Sequence, residues 1–172
     1  MRIREAALVD ADGIARVHVD SWKTTYKDIV PESYLQQLSY EQRTENWRRG
    51  IGKSVLYVAE DDSGRIVGFA TGGKERTGKY DADGELYAIY LLKEVQGQGI
   101  GKQLASRIAQ NLQEQGFISM LVWVLEDNPS KKFYESLGGQ LVDEMMIEIG
   151  GEEFKEIAYF WEDSKVIGGM IK

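Results

Sequence analysis

Apolar positions along this chain recur with two periods, and the changeovers between them outline its elements. Residues 2–6 carry a short strand pattern. Ile14, Val17, Ser21 and Trp22 then follow helical spacing, with Asp10 placed to cap the helix. Pro31 ends or redirects that element. Ser39-Tyr-Glu-Gln42 has the spacing of a capping box and predicts a helix over residues 40–49. Residues 54–60 and 65–71 read as strands joined by the turn Asp61-Asp-Ser-Gly64, a hairpin signal. Residues 72–84 are polar and irregular, so a loop is expected there. A β-branched and aromatic strand follows over residues 85–92, and Ile100, Leu104, Ile108 and Leu112 put one apolar stripe on the next helix, which Gly116 stops. Residues 118–125 are continuously apolar, as suits a central strand covered on both faces. Asn128 as cap and Pro129 as first helical position open a further helix that buries Phe133 and Leu137 and ends at Gly138-Gly139. Residues 140–149 and 153–161 form a closing hairpin across Gly150-Gly151.

That order predicts an α+β fold: one mixed, largely antiparallel central sheet flanked by helices, rather than a doubly wound parallel sheet. A length of 172 residues, only two prolines and no repeat or linker suit a single domain over residues 1–172. The absence of cysteine removes disulfides and thiolate nucleophiles and fits a reducing compartment. No apolar run reaches the length of a membrane span, and Met1-Arg-Ile-Arg-Glu5 lacks a signal-peptide core, so a cytoplasmic protein without membrane association is expected. The net charge of −7 argues against nucleic acid and for small or cationic partners.

The chemistry concentrates at Gln96-Gly-Gln-Gly-Ile-Gly101, between the strand at 85–92 and the helix after it. Glycines at such a junction let a ligand approach the backbone, and a helix N-terminus favours phosphate. Two nucleotide readings fail. A P-loop requires Gly-Lys-Ser/Thr, but Gly101-Lys102 is followed by Gln103. A dinucleotide fingerprint requires G-x-G-x-x-G on the first strand–helix unit, and this loop has the wrong third spacing and sits mid-chain.

What remains is Q-x-x-G-x-G, read as Gln96, Gly99 and Gly101, after the triplet Ile89-Tyr-Leu91 and before the apolar strand, Asn128 and Phe133-Tyr-Glu-Ser-Leu-Gly138. In that order the chain resembles the GNAT superfamily of acyl-CoA-dependent N-acetyltransferases. Ile3-Arg-Glu-Ala6 and Val17-His-Val-Asp-Ser-Trp22 resemble N-termini common in one subgroup. Two positions depart from the pattern: Gly139 stands where Phe commonly ends the Phe-Tyr-Glu motif, and Ala7 stands where a Ser or Thr cap is frequent.

The resemblance implies acetyl-CoA as cosubstrate, no metal, and acetyl transfer to a primary amine by direct attack in a ternary complex. It implies that Gln96, Gly97, Gln98, Gly99, Ile100 and Gly101 bind the CoA pyrophosphate, with Lys102 adding charge. Ile89, Tyr90 and Leu91 lend main-chain groups to the pantetheine arm and to the developing oxyanion. Asn128 contacts the cofactor, and Lys131 reaches a CoA phosphate. Tyr134 matches the tyrosine that protonates the departing thiolate, and Glu85 matches a carboxylate that accepts the amine proton, often through water. Trp22, Tyr26, Trp47 and the 72–84 loop lie on the acceptor side of the resembling fold. The lone His18 reads as structural or surface. A small-molecule amine is the expected acceptor; a peptide N-terminus, a lysine, or a non-catalytic acyl-CoA sensor on the same fold are the alternatives. Homodimerisation is compatible with the resemblance, and the sequence is silent on it.

Overall fold

The computed structural model describes residues 1–169. Its elements run β1 (Arg2–Glu5), α1 (Ala11–Thr25), α2 (Glu32–Gln36), α3 (Tyr40–Gly50), β2 (Val55–Glu60), β3 (Ile66–Lys74), β4 (Gly84–Leu91), α4 (Ile100–Glu114), β5 (Met120–Leu125), α5 (Lys131–Ser136), β6 (Gln140–Ile149), β7 (Glu152–Trp161) and α6 (Lys165–Gly169). The seven strands form one sheet in the order β1-β2-β3-β4-β5-β7-β6. Every neighbouring pair is antiparallel except β4 and β5, which the α4 crossover makes parallel. The fold is the expected α+β arrangement.

The parallel pair is the exceptional part. Only Gly84–Met120, Glu85–Leu121 and Leu86–Val122 pair, although β4 continues to Leu91 and β5 to Leu125. On the other side of β4 the register with β3 moves from Thr71–Ala88 to Gly72–Leu86, so Tyr87 is an extra residue. A bulge of this kind bends the strand that carries it. Beyond Leu86 and Val122 the two central strands therefore separate, and the main chain of β4 is left without a ladder partner on that side. The main core, with Phe69, Leu86, Leu104, Ile108 and Met120, holds the sheet against α1 and α4. A smaller cluster of Tyr26, Val30, Leu35, Leu125 and Ile149 seats α2 and the end of α1 against β5 and β6.

Several local expectations shift. Ser39 caps α3 as its sequence predicts, accepting the Gln42 amide at 3.2 Å. Asp10 does not cap α1; its carboxylate accepts the Ala7 amide at 2.7 Å and Arg4 at 2.8 and 3.0 Å, tying β1 to the turn before α1. Strand β3 extends through Gly72-Gly73-Lys74 into the expected loop, because small residues can pair closely with β4. Asn128 does not cap α5, which starts three residues later at Lys131. The Asn128 side chain instead accepts the Ser130 amide at 2.8 Å, a local turn bond that competes with helix.

Candidate active site

The separation of β4 from β5 opens a cleft of about 740 Å³. Its walls are Tyr87, Ala88, Ile89, Tyr90 and Leu91 of β4, and Val122, Trp123, Val124 and Leu125 of β5. Gln96, Gly97 and Gly101 close one end, together with Lys93. Asn128, Phe133 and Tyr134 line it from the α5 side, and Trp22 and Tyr26 from the end of α1. Arg76, Ile147, Ile149 and Glu156 complete the lining.

The glycine loop has the geometry its sequence suggests. Gly97 and Gly99 take φ of 75° and 84°, values that side chains disfavour, and a Cβ at either would meet nothing within 4 Å. The loop surface is thus open backbone. Gly99 is the N-cap of the 15-residue α4, and its carbonyl accepts the Gln103 amide at 3.2 Å. The amides ahead of Gln103 lead the helix without helical acceptors, at its positive end. Gln96 Nε2 donates to the Leu91 carbonyl at 3.3 Å and ties the loop to the end of β4. These features fit a diphosphate at the loop and an extended, amide-bearing chain along unpaired β4.

Of the other residues expected at the donor site, Gln98, Gly99, Ile100, Lys102 and Lys131 do not line the cleft. The Ile100 side chain is buried in the core, so only its main chain can take part. Lys102 is exposed on the first turn of α4, and Lys131 is half-buried on the first turn of α5.

Tyr134 is 4% exposed, packed edge-on to Phe133 and Trp161, and lines the cleft. Burial pushes its phenol above the ordinary range, with Tyr90 and Tyr26 adding to the shift. A phenol so placed is protonated at neutral pH, so in a proton transfer it is a donor and not a base. Tyr26 is raised in the same way by burial, and its oxygen accepts from Asn128 Nδ2 at 2.9 Å. Trp22 Nε1 donates to the Tyr90 hydroxyl at 3.0 Å. His18 stacks on Tyr90 with ring centroids 5.2 Å apart, and its Nδ1 accepts from Trp47 at 3.3 Å. Burial and the nearby Arg43 charge lower its pKa to about 4, so it is a neutral packing group. Neither His18 nor Trp47 lines the cleft.

Glu85 departs from its expected place as proton acceptor. Its side chain is 3% exposed and lies outside the cleft lining. Arg76 Nη2 meets its Oε2 at 2.6 Å, and the Arg76 amide donates to Oε1 at 3.2 Å. Both carboxylate oxygens are thus occupied by Arg76, and neither is presented to the cleft. Two residues that the sequence did not single out individually line the cleft, Arg76 and Glu156. Arg76 comes from the 72–84 loop, with its guanidinium 4.3 Å over the Tyr87 ring. Glu156 is a half-buried carboxylate on β7, just before the apolar run at residues 157–161. In a strand that also carries Glu152, Glu153 and Lys155, nothing in the sequence marks it out.

Comparison with known proteins agrees with this geometry. Residues 75–147 match the family model described as FR47-like protein. The chain is 46% identical over 169 residues to the uncharacterized N-acetyltransferase YuaI of Bacillus subtilis, covering 98% of this chain and 97% of the relative. It is 35% identical over 86 residues to the mycothiol acetyltransferase of Kocuria rhizophila, of which it spans 28%. The ribosomal-protein-alanine N-acetyltransferase from Brucella melitensis superposes with a TM-score of 0.74 at 19% identity, over 94% of this chain and 99% of that one. A phosphinothricin acetyltransferase from Sinorhizobium meliloti, solved with AcCoA, superposes at 0.69 with 23% identity, over 93% and 86%. The chain belongs to the GNAT superfamily of acyl-CoA-dependent N-acetyltransferases.

Proposed function

We propose that the protein transfers the acetyl group of acetyl-CoA to a primary amine of a small molecule while both substrates are bound. The observation that carries this reading is the splayed β4–β5 pair, with an open glycine loop at one end and the Tyr134 phenol along its wall. The donor is supported by similar structures solved with coenzyme A or acetyl-CoA. Loop and α4 amides hold the diphosphate; Ile89, Tyr90 and Leu91 pair main chain to main chain with the pantetheine arm and donate to the thioester oxygen. The acceptor ammonium first loses a proton to a carboxylate. Its nitrogen then forms the C–N bond at the thioester carbonyl as the C–S bond breaks and sulfur leaves with the electron pair. Tyr134 gives sulfur its proton and is restored by one of the two protons still on nitrogen, leaving a neutral amide and a thiol. Holding both reactants in one cleft makes the step effectively unimolecular, so no enzyme nucleophile is needed.

The test is acetyl-CoA-dependent thiol release across a panel of small amines, peptides with free N-termini, and lysine peptides. Turnover confined to small amines is expected. Coenzyme A binding without turnover on any member of the panel would overturn the reading in favour of an acyl-CoA sensor.

A further inference from the structure

One carboxylate in the cleft lining has no direct partner among the described residues. Glu156 opposes Leu125 in the β5–β7 register, whereas Glu85 opposes Leu121 in the β4–β5 register. Both lie on the same face of the sheet, because they are an even number of positions apart on β5. Four positions at ~3.3 Å each put Glu156 about 13 Å further along the sheet, in the region where β4 and β5 have separated. Glu85 stays at the paired end. Glu156 lines the cleft and makes no ion pair or hydrogen bond among the described residues. Its surroundings compensate it only in part, because the Arg76 charge favours its ionised form while the Glu85 charge opposes it. Arg76, the nearest cation in the lining, is engaged by Glu85 at 2.6 Å and stacked on Tyr87. Asp143, on the same face of neighbouring β6, is held by the Tyr80 hydroxyl at 2.6 Å. The Tyr26, Tyr87 and Tyr90 phenols are all raised above their ordinary range and hence neutral. With Arg76 and Glu85 offsetting each other, this part of the cleft carries one net negative charge beside the apolar surfaces of Trp22, Tyr26 and Ile147.

We propose that Glu156 receives the acceptor's ammonium and takes its proton, and that the acceptor is a cationic primary amine on an apolar body with no carboxylate beside the nitrogen. The assignment deepens, and rests on, the acetyltransferase reading. An acceptor carboxylate would face Glu156 with Arg76 already engaged by Glu85 and with Lys93 placed beside the glycine loop, whereas an aryl or alkyl body would cover the aromatic wall. Partial burial raises the Glu156 pKa, which brings it closer to the range useful for accepting a proton at neutral pH. The bound proton passes to solvent after transfer, while Tyr134 supplies the one that sulfur takes.

The experiment titrates 2-phenylethylamine and phenylalanine by calorimetry into the coenzyme A-saturated protein, for wild type, Glu156→Gln and Glu85→Gln. Wild type is expected to bind 2-phenylethylamine at least about tenfold more tightly than phenylalanine, and Glu156→Gln to weaken it by about tenfold, the size of one lost charge-assisted hydrogen bond. Thermal stability and coenzyme A affinity of Glu156→Gln remain those of wild type, which separates a binding role from a structural one. In transfer assays Glu156→Gln loses the rising limb of kcat/KM with pH, and Glu85→Gln keeps it. Equal binding of the two ligands, no binding of either, or an unchanged affinity and pH profile in Glu156→Gln would overturn the assignment. Discriminating binding without any acetyl transfer would instead overturn the acetyltransferase reading.

Discussion

At the scale of single residues, Tyr134 and Gly139 form one unit. A Cβ on Gly139 would lie 2.8 Å from the Trp161 indole and 3.0 Å from the Tyr134 carbonyl oxygen. The indole thus occupies the space next to the position where a Phe is frequent in the resembling family, and Trp161 Nε1 donates to the Leu137 carbonyl at 2.9 Å. That packing fixes the end of α5 and, through it, the Tyr134 ring. Replacing Gly139 by Ala is expected to displace Trp161 and lower stability by about 1–3 kcal/mol, the cost of overpacking, with kcat falling alongside. Urea denaturation and steady-state kinetics check both; a variant with wild-type stability refutes the packing argument. Tyr134→Phe isolates the hydroxyl. Losing a general acid lowers kcat on the order of 10²-fold while coenzyme A affinity stays unchanged. Unaltered turnover across pH would remove Tyr134 from the chemistry. The place of Tyr134 in the cleft lining was legible in the sequence because a local motif carries it. Glu156 was not, because its position beside the cleft depends on pairing β7 with β5 across more than thirty residues of chain.

At the scale of elements, helical and strand periods located all seven strands and the longer helices, since each apolar stripe answers to a layer of the core, and missed the five-residue helices α2 and α6. The misplaced details are those where polar side chains chose between local partners. Asn128 bonds to Ser130 and Tyr26 instead of capping α5, and Asp10 bonds to Arg4 and Ala7 instead of capping α1. The splay of β4 from β5 was equally invisible, because it results from a bulge at Tyr87 and not from composition. The Asp10 arrangement has a measurable consequence. Its hydrogen bonds from Arg4 are the main cause that holds its carboxyl below the ordinary value, against the opposing effect of burial. A group lowered on folding contributes stability that is present above its unfolded pKa, about 3.9, and lost as pH falls through the folded value. Asp10→Asn is therefore expected to cost about 2 kcal/mol at pH 7 and to make stability less steeply pH-dependent below about pH 4. Thermal melts at pH 3 and pH 7 test this; an equal pH 3-to-7 difference in wild type and variant refutes it.

At the scale of the whole molecule, the proposed donor and acceptor regions fall on different parts of the sheet. Leu86 and Val122 face the α4 side of the core, whereas Glu85, Leu125 and Glu156 share the other face with the end of α1. The cleft crosses the sheet where its central strands part, so two substrates can meet from opposite faces without sharing a binding surface. Such a gap leaves main-chain groups of β4 unsatisfied, and a ligand that pairs with them completes the sheet. Coenzyme A is accordingly expected to stabilise the entire fold and not only the glycine loop. At a free concentration of a hundred times Kd, mass action adds about 2.7 kcal/mol, which in a chain of this size raises Tm by roughly 5–10 °C. Gly99→Val strains a backbone held at φ 84° and places a branched side chain on the open loop, so the variant melts lower alone and shows a smaller rise at the same coenzyme A concentration. Inorganic pyrophosphate engages the loop without bridging the strands and is expected to stabilise less than coenzyme A at equal saturation. Equal stabilisation by the two at saturation would locate the binding energy in the loop alone, and would remove the gap between β4 and β5 from the account of donor recognition.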